Sequence, residues 1–386
     1  MRVSPPSPLV SLLSLALAVS TAGLHAAPVP EAPKFEAKSF ILMDNSSGQI
    51  LAQDNADLKL EPASITKVMT SYIVFDELKK GNITLDDMVP VSEKAWKIQG
   101  SRMFIEVGNK IRLEDLLRGM IIQSGNDATV ALAEYIAGGE DTFAQVMNQT
   151  AQRLGMTNTH FENASGWPHD NHYSTARDIA ILSRALINDF PEYYPYYAEK
   201  EFLFNNIKQH NRNRLLWREE GIDGLKTGHT EAAGYCLAAS GVREGMRLTT
   251  VVMGTESEKA RLNASAALLN YGFRFFESHK LFGADEVIQR SRVWKGSEDE
   301  VSLGTSGDFH VTVPRGERKN LALSAELQRQ IEAPITTGQQ LGKIKVVLNG
   351  AVISETPLVA KQDVPLGGWF SRMIDAIWLW IQSLLA

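Results

Sequence analysis

The feature that most constrains this chain is the run Val68-Met69-Thr70-Ser71-Tyr72-Ile73-Val74-Phe75, set between Pro62 and Gly81. Proline at the first turn and glycine past the last are start and stop signals, so the sequence predicts one long helix from about Ala63 to Lys80. Its apolar residues cover most faces, and a helix of that kind has to lie in the middle of a domain. Other elements must wrap it. Further helical stretches follow at LEDLLRGMIIQ, DATVALAEYIAG, DTFAQVMNQTAQRLG and TARDIAILSRALIND, each with apolar residues three and four apart. Ahead of the central helix, SFILMDNSSGQILAQDN carries two β-prone runs about a turn and reads as a hairpin. Far behind it, DGLKTGHTEAAGYCLAASGVREGMRLTTVVMG reads as two strands turned at Arg243-Glu244-Gly245, and KARLNASAALLNYGFRFFES as a closing helix. Strands at both ends with helices between them predict an α+β domain: one antiparallel sheet assembled from distant segments and flanked by helices.

Past about Leu281 the texture changes. The stretches GSEDEVSLGTSGDFHVTVPRG and LGKIKVVLNGAVISETPLVA alternate polar and apolar residues, with a hairpin signal at Asn349-Gly350, and predict a small all-β domain. The last twenty residues differ again. On a helical wheel at about 100° per residue, Trp369, Phe370, Met373, Ile374, Ile377, Trp380, Ile381, Leu384 and Leu385 share one side, with Ser371, Arg372, Asp375, Gln382 and Ser383 opposite. Two faces of opposite chemistry, with Trp369, Trp378 and Trp380 at headgroup level, suit a helix lying in a membrane interface. The alternative is a helix packed back on the protein. At the other end, Arg2 precedes an apolar run from Leu9 to about Leu24 and the small residues Ala26 and Ala27, the pattern of a secretory signal peptide. The expected division is therefore a signal peptide over 1–26, a catalytic domain over 27–284, a β-rich domain over 285–366 and an amphipathic helix over 367–386.

Composition narrows the function. A net charge of -6, with no basic stripe, gives no electrostatic reason to expect nucleic acid. The single cysteine, Cys236, allows no internal disulfide even in an oxidising compartment, and its apolar surroundings predict a buried thiol.

Three short motifs carry chemistry. Ser64 and Lys67 stand three apart on a helix, which brings an amine to a hydroxyl, and a desolvated lysine can serve as the base that a serine nucleophile needs. Ser124 and Asn126 lie at a break between helices, where a second hydroxyl can relay protons and a carboxamide can hold a substrate carbonyl or fix Lys67. Lys226, Thr227 and Gly228 stand at the start of an expected strand and supply positive charge, a hydroxyl for a carboxylate and room for a substrate against the backbone. Each motif alone has an ordinary structural explanation: a chance helix pair, a cap, a turn. The three together, in this order and in these contexts, point to one serine acyl-transfer site. His160, His169 and His172 with Asp170 match no usual ligand spacing, so neither metal nor cofactor is expected.

At these residues the chain resembles the penicillin-recognising serine enzymes and, more closely, the type-5 D-alanyl-D-alanine carboxypeptidases among the low-molecular-mass penicillin-binding proteins. The likeness spans nearly the whole expected mature chain: PASITKVMT, QSGNDA, GLKTGHT, STARDIA, NRNRLLW, YGFRFFE, VPRG and the tail. It implies that Ser64 attacks the carbonyl between two terminal D-alanines, with Lys67 as general base, Ser124 as proton relay, Asn126 holding substrate and Lys226 supplying a positive field. It implies an oxyanion site at the N–H groups of Ser64 and His229, and a carboxylate site at Thr227, Arg261 and Arg212. Arg261 reads equally as a solvated helix charge. Asp178 would support the site, or simply begin a helix. The implied partners are peptidoglycan stem peptides, β-lactams and the outer surface of the cytoplasmic membrane, with the protein exported and peripheral on the periplasmic face; a homodimer is left open. Two relatives of that activity are weaker readings, a DD-endopeptidase and a β-lactamase. Against the latter, the middle motif here is Ser124-Gly125-Asn126, without the aspartate usual in class A, and no extra glutamate is obvious as a deacylating base. A non-catalytic peptidoglycan-binding protein would have no need of Ser64 and Lys67.

Overall fold

The computed structural model describes residues 29–385. The expected signal peptide, residues 1–26, lies outside them. In chain order β1 (Ser39–Asp44) and β2 (Ile50–Asp54) form the first hairpin, and a 3₁₀ turn (Ala63–Thr66) runs into α1 (Lys67–Lys80). The short pair β3 (Met88–Pro90) and β4 (Lys110–Arg112) brackets α2 (Glu93–Lys97). Then come α3 (Leu113–Arg118), a π-helical turn (Gly119–Gln123), α4 (Asn126–Ala137), α5 (Glu140–Leu154) and α6 (Ala176–Asp189). The hairpin of β5 (Glu201–Phe204) and β6 (Ile207–His210) and the short α7 (Leu215–Arg218) lead to β7 (Ile222–Thr230), β8 (Gly234–Arg243) and β9 (Met246–Thr255), closed by α8 (Glu258–Phe275).

The first domain is a three-layer structure around an antiparallel sheet ordered β2-β1-β9-β8-β7. Period-two alternation splits β1 between two cores. Ile41 and Met43 face the helical layer of α1, α3, α4, α5 and α6, while Phe40 and Leu42 face α8. As expected of its composition, α1 is buried at every position from Lys67 to Phe75. It is the axis of the helical layer.

Three local departures from the sequence expectation matter for the site. The helix read from Ala63 begins as a 3₁₀ turn, so Ser64 precedes α1 and Lys67 opens it. The stretch read as one helix at LEDLLRGMIIQ ends in a π turn, after which Ser124 takes a left-handed conformation at φ 66°. And three strands, not two, follow residue 222, because the chain reverses at 231–233 as well as near Gly245. Lys226, Thr227 and Gly228 therefore lie in the middle of β7 rather than at a strand's start.

No residue separates α8 from β10 (Phe276–Phe282), which pairs with β13 (Phe309–Pro314). β11 (Gln289–Arg292), β12 (Glu300–Gly304), β14 (Leu321–Leu327), β15 (Gln340–Leu348) and β16 (Ala351–Ala360) form a second antiparallel sheet ordered β11-β12-β16-β15-β14. Asn349 and Gly350, at φ 51° and 84°, make the two-residue turn between β15 and β16. This domain has cores of its own, around Val301, Leu303 and Ile344 and around Val311, Val313 and Val346.

α9 (Trp369–Leu385) ends the chain. Its polar face turns toward the β domain: the Lys295 N–H donates to Asp375 Oδ2 at 2.5 Å, and Arg292 lies 3.9 Å from the same carboxylate. Trp369, Phe370, Ile374, Ile377 and Trp378 remain more than half or about half exposed on its outer side. Among the described residues no helix is long and apolar enough to cross a membrane.

Candidate active site

In a 3₁₀ turn side chains three apart eclipse, so Lys67 stands directly over Ser64. The Nζ–Oγ distance is 2.9 Å. The turn is held in an uncommon shape, with Ala63 at φ 47°, and two glycines let neighbouring backbone press against it. A Cβ on Gly166 would fall 1.8 Å from the Ala63 carbonyl oxygen, and one on Gly228 would fall 2.8 Å from that of Pro62. β7 and the 163–167 loop thus clamp the Ser64 turn from two sides.

Lys67 is almost wholly buried, at 1% exposure. Besides Ser64 its amine donates to Asn126 Oδ1 at 2.7 Å and to the Ser165 carbonyl at 2.9 Å. The Asn126 oxygen is oriented by its own amide, which donates to the Gln99 carbonyl at 2.7 Å. Burial, followed by the charge of Arg212, lowers the Lys67 pKa to about 7, against the opposing pull of Asp127 and Glu140. A neutral amine has two N–H donors and one lone pair. Here both donors face oxygens that can only accept, Asn126 Oδ1 and the Ser165 carbonyl, which leaves the lone pair for the Ser64 hydroxyl.

A second hydroxyl–lysine pair sits beside the first. Ser124 Oγ accepts from Lys226 Nζ at 2.8 Å, and Lys226 also donates to the Thr227 carbonyl at 3.2 Å. Burial, then the neighbouring charges of Lys67, Arg212 and Arg261, push the Lys226 pKa well below that of an ordinary lysine. Beneath Ser124, the buried Asp127 accepts backbone N–H bonds from Met103, Phe104, Ile105 and Ala128.

Ser64, Ser124, Thr227, Gly228 and His229 open onto a cleft of about 550 Å³, while Lys67, Asn126 and Lys226 lie under its floor. Arg212 and Arg261 also line it. Arg212 Nε donates to the Gln123 carbonyl at 3.0 Å, next to Ser124. Arg261 is not a solvated helix charge: it is 5% exposed, donates to the Gly228 carbonyl at 3.1 Å and lies 3.3 Å from Glu258. Its guanidinium stands 5.4 Å from the Tyr235 ring, whose other neighbour is the His229 imidazole at 4.0 Å.

Asp178 does not reach the cleft. Its carboxylate accepts from the Asn158 N–H and the Thr159 hydroxyl, which places it at the foot of α6. Four residues absent from the sequence reading belong to the site or its frame: Ser165 through its carbonyl, Asp127, Tyr235 and Glu258. His172, noted earlier only in a histidine cluster, is buried with Nε2 2.9 Å from Thr66 Oγ1, and Nδ1 accepts the Glu162 N–H. Burial takes its pKa down to about 4, so it is neutral at pH 7.

The sequence profile of the D-alanyl-D-alanine carboxypeptidases, peptidase family S11, matches residues 26–257. The chain belongs to that family. The profile of the penicillin-binding protein 5 C-terminal domain matches residues 276–366, beginning where β10 begins. Among S11 relatives, the D-alanyl-D-alanine carboxypeptidase DacC of Escherichia coli K12 is 47% identical over 355 residues, covering 90% of this chain and 89% of that one. DacA of the same organism is 41% identical over 382 residues, covering 95% of each. The crystal structure of penicillin-binding protein 5 from Haemophilus influenzae superposes with a TM-score of 0.83 at 42% identity, covering 87% of this chain and 99% of that chain. The fold is that of a penicillin-binding protein, with a sheet and helices followed by an all-β domain, and the enzyme is a serine-type D-alanyl-D-alanine carboxypeptidase.

Proposed function

We propose that Ser64 is the nucleophile and Lys67 its base in the removal of the terminal D-alanine from peptidoglycan stem pentapeptides. The observation that carries this reading is the arrangement of Lys67: both amine N–H groups engaged by acceptor-only oxygens, and Ser64 Oγ 2.9 Å from the nitrogen. Lys67 takes the Ser64 proton as Oγ bonds to the scissile carbonyl carbon. The oxygen that becomes negative is received by the N–H groups of Ser64 and His229. As the carbon–nitrogen bond breaks, Ser124 relays the proton from Lys67 to the departing D-alanine nitrogen. Water then gives a proton to Lys67 and its oxygen to the acyl carbon; the ester bond breaks and Ser64 recovers its proton.

The substrate's terminal carboxylate sits among Thr227, Arg212 and Arg261. Burial and the neighbouring charges of Lys67, Arg212 and Arg261 work against a charged Lys226, and the arriving carboxylate offsets that crowding of positive charge and favours the charged amine. β-Lactams acylate the same serine. The protein works after export, on the periplasmic face of the cytoplasmic membrane, where the outer face of α9 lies in the lipid interface. The amphipathic pattern and the exposed tryptophans of α9 support that placement.

Labelling with fluorescent penicillin and D-alanine release from a D-Ala-D-Ala pentapeptide test the assignment. Ser64→Ala is expected to lose both while remaining folded. Undiminished labelling of that variant would refute it.

A further inference from the structure

The Ser165 carbonyl is one of the two acceptors that orient the Lys67 amine, and it is a backbone group, free to turn unless something holds its peptide plane. The holder is visible. Asn163 Oδ1 accepts from the Gly166 N–H at 2.8 Å, the Trp167 N–H at 2.9 Å and the Ser165 N–H at 3.2 Å, while Asn163 Nδ2 donates to the Trp167 carbonyl at 2.9 Å. In a planar trans peptide unit the C=O and the following N–H point in opposite directions. The Ser165–Gly166 unit has its N–H on Asn163, and so its C=O points the other way, onto Lys67 Nζ at 2.9 Å.

The rest of the loop is fixed independently on either side of that unit. Thr70 donates to the Ala164 carbonyl at 2.7 Å, Glu140 accepts the Ala164 N–H at 3.2 Å, and Gly166 abuts Ala63. None of those contacts sets the rotation of the 165–166 peptide. Asn163 does.

We propose that Asn163 is a positioning residue for the general base: by holding the Gly166 N–H it aims the Ser165 carbonyl at Lys67 and so turns the amine's lone pair to Ser64. This rests on the reading of Lys67 as the base. Asn163 does not line the cleft and reaches the Lys67 amine through the Ser165 carbonyl.

The test compares Asn163→Ala, Asn163→Leu and Asn163→Asp in the full enzyme, with Lys67→Ala as control. Alanine and leucine remove the acceptor; aspartate keeps it and loses only the Nδ2 bond to the Trp167 carbonyl. Whichever of the first two melts as a folded protein is expected to acylate with labelled penicillin roughly ten- to a hundredfold more slowly, with the loss in kcat and not in KM for the peptide. Its acid limb should also move upward by about half a unit, because a loosened carbonyl lets water reach Lys67. The groups that face Lys67, namely Lys226, Arg212, Asp127 and Glu140, are unchanged, so the movement would report solvation. Asn163→Asp should recover the rate to within about threefold above the limb.

Parental acylation and an unmoved limb in a folded alanine or leucine variant would overturn the proposal, as would a loss confined to KM. A folded aspartate variant as slow as alanine would overturn it too, and decides the matter if neither apolar variant folds. If Lys67→Ala itself acylates normally, the reading of the base has failed and not merely the role of Asn163.

Discussion

Asp127 and Glu326 are both carboxylates with several partners, in two regions built on different terms. Asp127, at 1% exposure, gathers four backbone N–H groups under the Ser124 turn. Glu326 stands on β14, an outer strand of the β domain, paired with Lys345 and 3.9 Å from Lys343, its side chain 53% exposed. In the catalytic domain a polar group is buried and each partner it loses is left without water, whereas on the β domain solvent replaces a lost partner at once. The same contrast separates two helices that carry long apolar runs. α1 is enclosed by its domain, and α9 meets the β domain with its polar face and turns its apolar face outward.

That contrast ranks the expected effects of substitutions. The largest falls on Lys67: Lys67→Ala should slow acylation at least a thousandfold, roughly the scale of losing a nucleophile's base, and Lys67→Arg should rescue little, since a guanidinium stays protonated. Stopped-flow acylation checks both. Next is Asp127→Asn, expected to lower unfolding stability of the catalytic domain by about 3 kcal/mol in denaturant titration, because the new amide N–H groups face backbone donors. A loss no larger than a surface substitution's would break the comparison.

Truncation before Gly367 is expected to leave kcat/KM on soluble pentapeptide within about twofold while releasing the protein from the membrane fraction. Retention there would place the anchor elsewhere. The smallest effect belongs to Glu326→Gln, for which no measurable change in activity or in the unfolding midpoint is expected.

Much of this was legible in the sequence, and what escaped has physical reasons. Ser64, Lys67, Ser124, Asn126 and Lys226 converge because side-chain chemistry in three motifs is written in residue identity, and the enclosure of α1 followed from its apolar run. Ser165 escaped because it contributes a carbonyl, which every residue has. The reversal at 231–233 was missed because Glu231-Ala232-Ala233 carries no turn residue, and so β7 was read as beginning at Lys226. Glycines at 224 and 228 hid the strand further; they are there because Tyr194 and Pro62 press on its backbone. The left-handed turn at Ser124 follows a π-helical widening that periodicity does not register. Arg261 reads in sequence equally as a carboxylate ligand and as a surface charge on α8, and only the fold shows the Gly228 carbonyl and Tyr235 around it.

Burial and the charge of Arg212 bring Lys67 to a pKa of about 7, where a neutral amine can serve as base, and the rate of Ser64 acylation against pH tests this most directly. With the lysine pKa at about 7, the second-order rate of penicillin acylation should rise through a single acid limb with its midpoint near pH 7 and level off above pH 8. A rate independent of pH between 5 and 9, or one still climbing toward pH 10 as for an ordinary lysine, would contradict it.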